Sequence, residues 1–301
     1  MIVKAITALQ KIFSLIKLLT MKSTVKNFDA APFSLTNILN SIKSLHLTNS
    51  PREKLVVILG ATSKGKSSLA LTLAEKFETE IISADSMAVY KNFNVGTAKP
   101  TQAELERVPH HLINILDAEE KFSVGEFVRR ARPIISELNQ RGQIPIVAGG
   151  TGLYIQALVE GYFLGTRNKE QGTSKSESPV PGSRFPVPTS SHYKQTGELI
   201  YEALIYGLTG ERNELYDRIN RRTEKMFADG LIDEVKNLLA NGVSPTAQAM
   251  LGIGYKETVE YLQGRATLDE TISKVAQATR NFAKRQFTWY RRMKYITWLE
   301  I

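Results

Sequence analysis

The stretch "VVILGATSKGKSSLALTLAEKF", Val56 to Phe77, constrains the fold more than any other. It reads as a buried strand, a glycine-bearing loop and a helix in succession. Its loop, Gly60-Ala61-Thr62-Ser63-Lys64-Gly65-Lys66-Ser67, has the spacing G-x-x-x-x-G-K-[ST]. In that context the loop amides and the helix N-terminus point at anionic oxygens, Lys66 supplies a point charge, and Ser67 can ligate a magnesium ion. The motif predicts a site for two or more linked phosphates without saying which molecule carries them.

Further apolar runs at "EIISAD", "HLINIL", "IPIVAGG", "ALIYGL" and "YITWLEI" have strand length and β-branched content, and helical segments separate most of them. Alternation of this kind predicts an α/β fold, a three-layer phosphate-loop sandwich with a mostly parallel sheet and a long basic C-terminal helix. Ligand chemistry in such a sheet belongs at the carboxyl ends of the strands. The core is expected in two parts, 52–164 and 198–301. Between them, residues 165–197 are rich in Gly, Pro, Ser and Thr and read as a disordered linker. Residues 1–51 hold six lysines against one acid and read as a poorly ordered basic extension.

Two strand ends carry candidate chemistry. In "SADSMAVY", Asp85 would face the same crevice as the phosphate loop, as a magnesium ligand, a general base or the N-cap of a following helix. "IVAGGTGLY" places Gly149, Gly150 and Thr151 at another turn between strand and helix, where they line the pocket or merely make a tight turn. His110 and His111 are adjacent, point to opposite faces of a strand and are structural rather than metal ligands.

Charge and composition narrow the partners. The 301-residue chain has no cysteine, which removes disulfides, thiolate metal sites and thiol nucleophiles, and suits a reducing cytoplasm. Its longest apolar run, "IFSLIKLL", is too short to span a bilayer, so no membrane helix is expected. Of the net +9, seven Lys or Arg residues lie between Thr271 and Leu299 with no acid among them. On a helix they put Arg280, Lys284 and Arg291 opposite an apolar stripe of Val275, Ala278, Phe282, Trp289 and Met293, leaving a basic face for a polyanion or for solvent.

Taken together, "GATSKGKSSLA", "SADSMAVYKNFNVGTAKP", "PHHLINILDAEEKFSVGEF", "IPIVAGGTGLYIQALVEG", "RINRRTEKMFADGLIDEVKNLL", "IGYKE" and "ATRNFAKRQFTWYRR" resemble the tRNA dimethylallyltransferase family. The resemblance implies transfer of a dimethylallyl group from dimethylallyl diphosphate to the exocyclic amine of the adenine 3′ of the anticodon, in tRNAs reading UNN codons. It implies Asp85 as the proton acceptor and Thr151 as a residue placing the adenine. Gly60 to Ser67 and Arg280 would hold the diphosphate with magnesium at Ser67. Asp85, Ser86, Met87, Ala88, Thr151, Lys284 and Arg291 would contact the tRNA anticodon stem-loop, and the chain would act as a monomer.

Three departures from the family pattern stand out. The helical insertion that clamps the anticodon stem is replaced by little more than 165–197. Ala88 stands for the usual Gln, and Lys64 for the usual Ser, which puts bulk and charge beside the diphosphate. A small-molecule ATP-dependent kinase and a non-catalytic tRNA-binding remnant are the competing readings; no strand resembling a Walker B element and no arginine-rich lid favour the first.

Overall fold

The computed structural model describes residues 30–161 and 198–301; the expected linker, 165–197, and residues 1–29 lie outside them. Strand β2 (Lys54–Gly60) is the axis of the fold because its sequence, KLVVILG, is apolar on both faces. Leu55, Val57 and Leu59 enter one core while Val56 and Ile58 enter a second on the other side of the sheet. A strand that alternates between two buried faces reads as a continuous apolar run, the signature of a sheet covered on both sides.

Around it lie β1 (Ala31–Pro32), β3 (Ile81–Ser83), β4 (His110–His111), β5 (Ile146–Gly149), β6 (Glu202–Thr209) and β7 (Thr297–Glu300), in the order β1-β7-β6-β2-β5-β3-β4. Every pairing is parallel. β2 leads into α2 (Lys66–Lys76) and then β3, while β6 sits on its other flank, so the crevice above β2 opens where the sheet order diverges. β4 is far shorter than the run HLINIL suggested. Leu112 and Asn114 take φ of 61° and 55°, left-handed values that no strand continues through.

One core holds α4 (Val124–Gln140), through Phe127, Ala131 and Ile135, and α5 (Gly152–Val159), through Ile155 and Leu158. The other is filled by Leu69 and Leu73 of α2 and by Ile38, Ile42 and Leu45 of α1 (Leu35–Leu47). This corrects the expectation of a poorly ordered extension through residue 51. Residues 30–51 carry a helix whose apolar positions recur at i, i+4 and i+7, with Ser34 as its N-cap, and a strand that pairs with β7. Ile38 and Ile42 are each 1% exposed, and burying such a side chain contributes about 1.5–3 kcal/mol.

A short helix α3 (Gln102–Arg107) precedes β4, and four helices follow β6: α6 (Arg212–Ala228), α7 (Leu231–Ala240), α8 (Tyr255–Leu262) and α9 (Leu268–Tyr290). α9 starts with a reciprocal capping box between Thr267 and Glu270 and packs against α6, α8 and α5. Its buried stripe differs from the expected one. Val275 is shared, but Thr271, Ala276, Ala283, Gln286 and Tyr290 are the other buried positions, and Met293 falls beyond the helix. Phe282 and Trp289 are only half-buried, since α9 is pressed against polar turns at its C-terminal half and not against an apolar surface alone.

Candidate active site

The phosphate loop connects β2 to α2 with Gly65 at φ 80° as the helix N-cap, a left-handed conformation that glycine adopts without steric cost. The exposed hydroxyl-bearing Ser67 sits in the first helical turn, and Lys66 folds back so that its Nζ donates to the Ala61 carbonyl at 2.8 Å. Desolvation, then the nearby Arg222 charge, pushes the Lys66 amine down to about 8, and the Asp85 carboxylate partly offsets this. A lysine so placed lacks a full counter-ion, which an anionic substrate would supply.

Asp85 lies just past β3. Its Oδ1 accepts from the amides of Met87, at 2.8 Å, and Ala88, at 3.3 Å. The capping and chemical roles are therefore compatible, because one oxygen closes the turn. Residues 86–89 form turns, so Asp85 caps no helix. Its negative charge acts on Lys66, Arg222 and Lys99 and favours their charged forms. Thr151 sits at the end of β5, where its Oγ1 accepts from the Ser86 amide at 3.2 Å and its own amide donates to the Ala84 carbonyl at 3.2 Å. Asp85, Ser86, Met87, Ala88 and Thr151 thus form one hydrogen-bonded edge, and Ala88 is buried.

Two residues expected at the diphosphate make other contacts in the structure. Lys64 is fully buried, and its Nζ has no hydrogen-bond partner. It passes so close to Gly210 that a Cβ there would lie 2.5 Å from the amine. The side chain therefore does not add charge beside the diphosphate, and only its backbone amide remains in the loop. Burial, and then Arg218, lowers its basicity to about 8 against the pull of Glu214, Glu211 and Glu300. Arg280 donates to Asn220 Oδ1 at 2.5 Å and to Gln277 at 2.9 Å, so it braces α9 against α6.

A cation that reaches the loop from outside it is Arg222, which donates Nη1 to Thr62 Oγ1 at 3.0 Å. Burial lowers the basicity of its guanidinium, with Asp85 opposing. It escaped the sequence reading although a signal existed. Arg222 falls between Leu215, Ile219 and Met226 on the buried stripe of α6, where a cation needs a reason. A cavity of about 660 Å³ opens beside it, lined by Lys99, Asn94, Asn114, Lys225 and Asp229 among others. The loop forming one wall is fastened by Glu234, which accepts from the amides of Asn94, Val95 and Gly96 at 2.8–3.2 Å and from the Tyr255 hydroxyl at 2.6 Å. Lys99 donates to the Tyr90 carbonyl and, at 2.6 Å, to Asn114 Oδ1, and desolvation pushes it down to about 8.

Lys284 and Arg291 lie on the exposed side of α9's end, as expected of its basic face. His110 and His111 are structural: Nδ1 of His110 bonds the Val108 carbonyl, and Nε2 of His111 pairs with Glu80 at 2.5 Å. Among the described residues no cluster of three or more His, Cys, Asp or Glu could hold a metal alone. The Ser67 hydroxyl and the Asp85 carboxylate are hard oxygen donors, so they fit a magnesium ion whose other ligands come from a phosphate-bearing substrate and water.

A phosphate loop at the carboxyl edge of a parallel sheet, facing an aspartate and backed by lysine and arginine, defines a phosphate-binding α/β protein of the P-loop class. A family model described as IPP transferase matches residues 88–180 and 183–293, and one described as isopentenyl transferase matches 53–118. The chain belongs to the tRNA dimethylallyltransferase family. It is 39% identical to the tRNA dimethylallyltransferase of Pelotomaculum thermopropionicum over 287 residues, covering 83% of this chain and 91% of the relative. It is 42% identical to that of Carboxydothermus hydrogenoformans, covering 82% and 92%.

Solved structures agree. The full-length tRNA isopentenylpyrophosphate transferase of Bacillus halodurans superposes with a TM-score of 0.69 at 35% identity, over 83% of this chain and 90% of that one. A eukaryotic dimethylallyltransferase acting on tRNA gives 0.69 at 27% identity, over 82% and 74%. No helix among the described residues is long and apolar enough to cross a membrane.

Proposed function

We propose that this chain transfers a dimethylallyl group from dimethylallyl diphosphate to the exocyclic amine of the adenine 3′ of the anticodon in tRNAs reading UNN codons. The observation that carries it is the meeting of the Lys66–Ser67 loop, Asp85 and Thr151 at one sheet edge, in a chain about 40% identical to relatives named for that activity. Lys66, Arg222 and the loop amides hold the diphosphate, and Ser67 would hold a magnesium ion that, when bound, would offset part of its charge. Asp85 faces the acceptor. The amine nitrogen attacks C1 of the dimethylallyl group, the C1–O bond breaks with its electrons leaving on the diphosphate, and Asp85 takes the proton lost by the amine. Fixed cations facing the leaving group stabilise the charge that grows there, without reorganisation at the moment of reaction.

The basic face of α9, with Lys284 and Arg291, holds the RNA backbone while the base leaves its stack. The 287 aligned positions exceed the 83% of a 301-residue chain that they draw on, so the first relative carries residues in this span that the chain lacks. This agrees with a shortened tRNA-clamping insertion and makes weak tRNA binding, rather than loss of chemistry, its consequence. The setting is the cytoplasm, whose reducing conditions suit a cysteine-free chain and whose tRNA pool supplies the acceptor. Incubation with dimethylallyl diphosphate, magnesium and a UNN-reading tRNA, followed by mass spectrometry of nucleosides, should yield isopentenyladenosine. Its absence beside an active relative, or phosphate transfer from ATP instead, would overturn the reading.

A further inference from the structure

We propose that Gln286 is a positioning residue that sets the distance between the diphosphate half and the acceptor half of the site, an inference that rests on the function proposed above. Its side chain, 5% exposed, is inserted between the two turns that carry the two halves. Its Oε1 accepts from the Thr62 amide of the phosphate loop at 3.0 Å, and its Nε2 donates to the Gly150 carbonyl at 2.8 Å. The approach is so close that a Cβ on residue 150 would lie 2.4 Å from Nε2. Tyr290, one turn further along α9, donates its hydroxyl to the same carbonyl at 2.8 Å.

From Gly150 the connection runs on without a gap. The next residue, Thr151, donates its amide to Ala84 and accepts the Ser86 amide on its hydroxyl, and these residues flank Asp85. An unbroken series of bonds of 2.8–3.2 Å therefore joins Thr62 to the segment that holds the proton acceptor. Only a side chain that donates at one end and accepts at the other can make both contacts, which a glutamine amide does and a carboxylate or hydrocarbon does not. The Thr62 amide is also withdrawn from phosphate binding, so donor affinity rests on Arg222 and on the Gly65–Ser67 half of the loop. Loss of Gln286 should therefore disturb alignment far more than donor binding, because displacement of reacting groups by about 1 Å can cost on the order of 100-fold in rate.

The experiment compares wild type with Gln286→Met, which keeps volume and removes both bonds, and Gln286→Glu, which keeps only the acceptor. Steady-state kinetics with dimethylallyl diphosphate and tRNA is paired with hydrogen exchange read by mass spectrometry. For Gln286→Met, kcat should fall about 30-fold or more while the donor KM stays within about threefold, with Gln286→Glu between. Exchange should rise in peptides covering 60–64 and 149–153 and stay unchanged in 231–240. Wild-type kcat in Gln286→Met, unchanged exchange in the two turns, or a uniform rise across the protein overturns the assignment. If wild type itself makes no prenylated adenosine, the function reading fails separately, and the exchange pattern still decides whether Gln286 ties the turns together.

Discussion

Arg222 and Thr62, 160 positions apart in sequence, meet at 3.0 Å, so that α6 places a guanidinium against the phosphate loop. Arg280, to which the family resemblance gives that task, bonds Asn220 on the same helix. Arg222→Gln should therefore lower kcat/KM for the diphosphate donor by about 10- to 100-fold, the scale of one charge-assisted interaction with a leaving group. Arg280→Gln should cost less than Arg222→Gln in the same assay. The reverse order would return the role to Arg280.

Burial, and then the Arg222 charge, push the Lys66 amine down to about 8. Donor kcat/KM should accordingly fall as pH rises through about 8, since the neutral amine no longer attracts the diphosphate. In the complex the bound anion restores the charge, so the fall in kcat should lie at higher pH. The limb should persist in Lys64→Met. Coincident limbs in kcat and kcat/KM would contradict this account of Lys66.

Lys64 is a buried amine without a hydrogen-bond partner, its basicity depressed to about 8. The sign follows from linkage. Below about pH 8 both folded and unfolded chains carry the charge, and the folded one bears the whole penalty; between 8 and the ordinary lysine value the folded chain sheds the proton first, so stability rises with pH. Lys64→Met, which fills the same space, should stabilise the protein by about 1–3 kcal/mol at pH 7 and flatten part of that rise. Denaturant melts at pH 7 and 9.5 would show it, and a destabilised variant would mean that the amine has a ligand.

Lys284 and Arg291 stand on the exposed end of α9. Replacing either by Glu should weaken tRNA binding across all sequences and lower the salt slope of log K by about 0.7–0.9 for each phosphate that the side chain no longer neutralises. Filter binding between low and moderate salt measures this, with donor KM as the control. A selective loss for UNN-reading tRNAs would instead assign these residues to base recognition.

Ile42 is 1% exposed in the core between α1 and the sheet. Ile42→Ala should cost about 2–5 kcal/mol, as for other buried aliphatic truncations. A cost near zero in chemical denaturation would return residues 35–47 to the role of a dispensable extension.

Much of this protein is local and was therefore written plainly in its sequence. The phosphate loop is one contiguous strand, turn and helix, so spacing alone identifies it, and the run of apolar strands dictates a parallel sheet whose carboxyl edge carries Asp85 and Thr151. The helical period that reveals Ile38, Ile42 and Leu45 was also present, but lysine-rich flanks masked it. What only the tertiary structure decided is which distant polar groups are drawn to the loop. Arg222 rather than Arg280 reaches Thr62, Lys64 turns into the core beside Gly210, and Gln286 spans two turns. Helical periodicity specifies the face of a residue, but its partner depends on how α6 and α9 settle on the sheet, and that is fixed by packing and hydrogen-bond satisfaction between segments far apart in the chain.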